Sequence, residues 1–101
     1  MGPVNTELSR PKEDIYSEVI FRKGKVNQIE KFLEECQEAI EAGERYLETK
    51  NDRDLDKFLY EIADVKITSE QMPMIFTAEL FNKFYFQKLI RLDLRLRRNL
   101  I

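Results

Sequence analysis

Carboxylates are the side chains with which this chain could do chemistry. It has 19 Asp and Glu residues and no histidine. Glutamates four apart recur at Glu30/Glu34 and Glu34/Glu38. Carboxylate pairs can in principle act as general acid and base. At this spacing along one helix, a solvated face accounts for them. The run Asp52-Arg53-Asp54-Leu55-Asp56 imitates the first half of a calcium loop. Its sixth position is Lys57 where Gly is needed, and its twelfth is Ala63 where Glu is needed. An acidic, capped helix start is the expectation there.

The remaining chemistry is sparse. Without histidine there is no Ser-His or Cys-His nucleophile pair and no imidazole ligand. Ser9, Ser17 and Ser69 lie outside any Gly-x-Ser-x-Gly elbow. Gly2, Gly24 and Gly43 are too scattered for a phosphate-cradling loop. Cys36 alone makes neither a zinc site nor an internal disulfide, and is expected as a small buried side chain. No catalytic, cofactor or metal residue is therefore assigned, and a non-enzymatic protein is expected.

The elements that would carry these residues read as helices. Val26, Ile29, Leu33, Cys36, Ile40, Gly43 and Leu47 are spaced three and four apart, the heptad pattern of one helix face. This predicts a long helix over 25–49 with that stripe inward. Glu30, Glu34, Glu35, Glu38, Glu41, Glu44 and Glu48 would line its outer face. Gly43 would mark a weak spot or the close approach of a neighbour. Before it, Pro11 opens a helix and Gly24 ends it. After it, Asn51 or Asp52 caps a helix over 53–64. A link at 65–67, a turn at 68–72 and a helix from Pro73 follow. That helix is apolar on several faces, which predicts a central, buried position. Leu89, Leu92, Leu96 and Leu100 continue the helical spacing into the tail. With 43% apolar and 36% charged residues and three Gly, the chain suits a small all-α bundle of four to five helices. An α+β alternative has short strands near 15–21 and 90–97, where apolar residues alternate. Residues 1–10 are expected as a flexible arm and 11–101 as a single helical domain.

Charge is unevenly spread. Residues 26–64 hold twelve acidic and five basic side chains, whereas 80–101 hold six basic and one acidic. The basic tail could pack along the acidic helix, or meet an acidic partner. The expected role is an adaptor, regulator or small subunit that binds a partner helix or peptide in an apolar groove. Phe81, Phe84, Tyr85, Lys88, Arg91, Arg95, Arg97 and Arg98 are the expected partner-binding residues. Self-association through the heptad face is equally compatible. A nucleic-acid or transcription-associated role for the basic tail is the alternative. No run of about eighteen apolar residues occurs, so no membrane partner is expected. Residues 1–14 lack an apolar core, so no signal peptide is expected, and the expected location is intracellular: cytoplasmic, or nuclear.

The stretch Leu59-Tyr60-Glu61-Ile62-Ala63-Asp64-Val65-Lys66-Ile67-Thr68-Ser69-Glu70 resembles a segment of the transcription-elongation TFIIS N-terminal domain family. That resemblance implies a leucine-patterned helix, a short apolar link and a Thr-capped helix. It also implies a small bundle that binds disordered peptide motifs of transcription factors.

Overall fold

The computed structural model describes residues 7–99. Residues 1–6, most of the expected arm, and Leu100 lie outside the described residues. The described residues form helices α1 (Lys12–Lys23), α2 (Lys25–Thr49), α3 (Asp52–Ser69), α4 (Met72–Ile75) and α5 (Ala78–Arg97), and no strand. The all-α expectation is met. The α+β alternative fails, because 15–21 lies inside α1 and 90–97 inside α5. Leu and Arg are strong helix formers, and the alternation at 90–97 is also compatible with helical spacing. The described residues divide into two compact units between Gln71 and Met72.

The first unit contains α1, α2 and α3. Pro11 precedes α1, Glu13 and Asp14 lie in its first turn, and Arg22 and Lys23 in its last, matching the helix dipole. Gly24 ends it at φ 91°, in the left-handed region that favours glycine, and its N–H bonds Ile20 O at 2.8 Å. Helices α2 and α3 form an antiparallel hairpin. Asn51 caps α3, its side chain accepting from the Asp54 N–H at 2.8 Å. Contacts run down the hairpin in antiparallel order: Gln28 Nε2 donates to Gln71 Oε1 at 2.7 Å, and Arg45 reaches Asp54 at 3.2 Å. At Gly43 an added Cβ would lie 3.0 Å from Phe58 Cε1, so this glycine marks close helix approach.

The buried face of α2 is not the expected heptad stripe. Gln28, Glu35, Ala39 and Ala42 are buried, with Phe32 and Tyr46 half-buried beside them. Positions 28/35/42 and 32/39/46 keep the seven-residue repeat, but the seam is rotated by about one residue, or ~100°. Val26, Leu33, Ile40 and Leu47 are exposed instead. The reason is steric: Ala39, Ala42 and Gly43 let α3 come close, whereas a row of large aliphatics would hold it off. Glu35, expected outside, is inside. Cys36 is half-buried.

Helix α3 also departs from expectation. It runs unbroken to Ser69, with no link at 65–67. Thr68 is buried within it, and its hydroxyl donates back to Asp64 O at 2.9 Å and Val65 O at 3.2 Å. It caps nothing, so the segment lacks both the link and the cap on which the TFIIS likeness rests.

The second unit holds α4 and α5. Instead of one helix from Pro73, Pro73 sits in the short α4 and Thr77 starts a new helix. Extended at φ −151°, Thr77 accepts the Leu80 N–H at 3.1 Å. The expected tail helix is simply the end of α5. No residue of α5 is buried, against the central position expected for it. Among the described residues no helix is long and apolar enough to cross a membrane.

Candidate functional site

The hairpin brings four carboxylates together: Glu35 and Glu38 from α2, Glu61 and Asp64 from α3. Each pair is three residues apart, so each projects from one helix face. Ligand oxygens of Glu35, Glu38 and Glu61 lie within 4.8 Å of one another. Glu35 and Glu61 are 5% and 4% exposed. One oxygen of each is held by a lysine one turn before it. Lys31 Nζ meets Glu35 Oε1 at 3.0 Å, and Lys57 Nζ meets Glu61 Oε1 at 2.6 Å. The other oxygens, Glu35 Oε2 and Glu61 Oε2, are buried without a hydrogen-bond partner. A buried, unsatisfied carboxylate oxygen is costly and calls for a cation or a proton.

The electrostatics agree. Desolvation pushes the Glu38 carboxyl up from its ordinary value, and the charge of Glu35 adds to this. Desolvation does the same to Asp64, reinforced by the charges of Glu35 and Glu61. Glu61 is held below its ordinary value by the hydrogen bond from Lys57. Fully ionised, the four carboxylates against two ammonium groups leave two negative charges, the complement of one divalent cation. Opposing oxygens on a magnesium, manganese or calcium ion lie about 4–5 Å apart, for metal–oxygen distances of roughly 2.0–2.6 Å. The oxygens of Glu35, Glu38 and Glu61, within 4.8 Å of one another, fit that size.

A pocket of about 550 Å³ adjoins the cluster within the same unit. Glu35 and Asp64 form part of its wall. Lys23 and Lys31 supply positive charge, Asn27, Gln28 and Gln71 supply amides, and Ile15, Val19 and Ile67 supply apolar surface. Tyr16 also lines it, its hydroxyl donating to Glu70 Oε1 at 2.7 Å. Flanking lysines and an apolar wall with amides form a mixed surface suited to a small anionic molecule with an apolar part.

The expected partner-binding residues lie elsewhere. Phe81, Phe84, Tyr85, Lys88, Arg91 and Arg95 are on α5, all exposed, and by helical geometry within about 120° of one another. Phe81 and Tyr85 stack at 6.3 Å. Arg98 is the C-cap residue of α5, on the same side. Arg97 points away and pairs with Asp93 at 3.0 Å.

The carboxylate site has a sequence signal that pairs four apart do not reveal. Lys-x-x-x-Glu-x-x-acid occurs twice, at Lys31/Glu35/Glu38 and Lys57/Glu61/Asp64. In an antiparallel hairpin the two copies face each other. No family model, no curated protein and no solved structure matches this chain.

Proposed function

We propose that the α2–α3 hairpin is a divalent-cation site that serves hydrolysis of a phosphate ester or anhydride on a small molecule. The observation that carries this reading is the pair of buried, unpartnered oxygens on Glu35 and Glu61. Glu35, Glu38, Glu61 and Asp64 would hold the cation. A magnesium-type ion held by carboxylates keeps positions open for substrate phosphates and for water, and lowers the pKa of that water. Lys31 and Lys57 fix the two buried carboxylates in register. Lys23 and Lys31 face the pocket, where they would offset phosphate charge. Glu38, the exposed member of the cluster, would be the carboxylate open to a water at the site.

The test is calorimetric titration of the full chain with Mn²⁺ and Mg²⁺, followed by phosphate or pyrophosphate release from a nucleotide panel. Saturable binding, with hydrolysis that Glu38→Gln abolishes, is expected. Absence of binding to either ion ends this reading.

A second reading, a non-enzymatic interaction module, draws support from α5, where Phe81, Phe84 and Tyr85 are open to a partner helix or peptide. Its test is a pull-down in which a captured protein must be lost with Phe84→Asp/Tyr85→Asp. A nucleic acid on Arg91, Arg95 and Arg98 would instead show salt-dependent binding.

A further inference from the structure

We propose that α5 of one copy docks on the exposed apolar stripe of α2 of a second copy, independently of the cation site. The stripe is Val26, Leu33, Ile40 and Leu47, seven residues apart and each 53% exposed or more. A heptad row at this spacing is the seam of a helix pair, and within its own unit neither α1 nor α3 covers it.

Helix α5 is the matching surface. Its face of Phe81, Tyr85, Leu89, Leu92 and Leu96 follows steps of three and four, and every one of these residues is exposed. Its two aromatics, Phe81 and Tyr85, are each about half exposed. At roughly 150–250 Å² per aromatic side chain they present about 200 Å² before any leucine is counted. With Leu89, Leu92 and Leu96 the face is on the order of the 300–600 Å² apolar patch that marks an interaction site.

Charge selects the pairing. By helical geometry the α2 stripe is bordered by Glu30, Glu44 and Glu48, and the α5 face by Lys88 and Arg95. Two α2 stripes would set glutamate against glutamate, and two α5 faces would set basic rows together. Only α2 against α5 joins apolar to apolar and acid to base.

The test is sedimentation of full-length variants, with circular dichroism as the check of folding. Wild type is expected as a dimer. Glu30→Lys/Glu44→Lys on α2 and Lys88→Glu/Arg95→Glu on α5 are each expected to be helical monomers. Mixed in equal amounts, they are expected to form a dimer again, because the reversed α2 of one meets the reversed α5 of the other. A chain carrying all four changes is expected to dimerise alone, which guards against simple misfolding of either parent. A wild-type monomer, variants that stay dimeric, or a mixture that stays monomeric overturns the proposal. The last result would point to α5 lying on its own chain, or to a different protein as its occupant.

Discussion

The α2–α3 hairpin and α5 solve opposite problems. The hairpin buries polar groups: Gln28, Glu35, Asp54, Glu61, Thr68 and Gln71 are inside, while Leu33, Ile40 and Leu47 are outside. Helix α5 buries nothing and shows aromatic and aliphatic side chains around its surface. Burial of polar groups is tolerated where each finds a partner. The Gln28–Gln71 amide pair, the Tyr16–Glu70 bond and the two lysine–glutamate bridges supply most of them. The carboxylate cluster is where this satisfaction runs out: Glu35 Oε2 and Glu61 Oε2 have no hydrogen-bond partner. On α5 the shortfall is apolar. The kind of group left without a partner distinguishes the two regions.

The strongest way to break this contrast is to remove the orphan carboxylates. Glu35→Gln/Glu61→Gln is expected to weaken Mn²⁺ binding more than about a hundredfold, beyond the ten- to hundredfold worth of a supporting group. Calorimetry reads it, and circular dichroism should show helicity retained. Retained affinity would mean that the cluster is not the ligand set.

Next is packing. Gly43→Val places side-chain atoms against Phe58 at a spot where a Cβ is already at 3.0 Å. A loss of about 1–3 kcal/mol in urea unfolding is expected from overpacking. Leu94→Ala on exposed α5 should move the same transition by about 0.5 kcal/mol or less. Equal effects would erase the distinction between a packed hairpin and an open helix.

The caps sharpen the comparison further. Asn51→Ala should cost about 1 kcal/mol and lower the melting temperature of the hairpin. Thr77→Ala removes the equivalent cap of α5, and should lower helicity while leaving Mn²⁺ affinity unchanged.

The smallest effect concerns Tyr16. Burial, and then its hydrogen bond to Glu70, push its hydroxyl up to about 12 from 10.0. A value raised in the folded state gives stability that is intact below pH 10 and lost as pH rises through about 12. The same bond, foremost, holds Glu70 below its ordinary 4.5. Glu70 thus contributes stability above pH 4.5, lost as pH falls through its depressed value. Tyr16→Phe should remove an ionisation near pH 12 from an alkaline absorbance titration, lower stability between the two ends, and flatten its fall with pH at both ends.

Local chemistry alone determined much of this protein. Pro11, Gly24 and Asn51 mark helix boundaries through backbone preference and capping, which neighbours far along the chain do not alter. The seven-residue period of α2 was legible too, whereas Gly43 read equally as a weak spot or a close approach until the fold set Phe58 against it. Which face of α2 turned inward was decided only by tertiary structure. Two stripes share the same period, and the one with Ala39 and Ala42 won because, with Gly43 at its edge, it lets α3 approach. That one-residue rotation carried Glu35 inside and Val26, Leu33, Ile40 and Leu47 outside, creating both the candidate cation site and the docking stripe. Glu61 and Asp64 were equally illegible, because α3 had to continue unbroken through Val65–Ile67 to set them opposite α2. Periodicity along one helix says that a face exists, but only the partner helix decides which face it is.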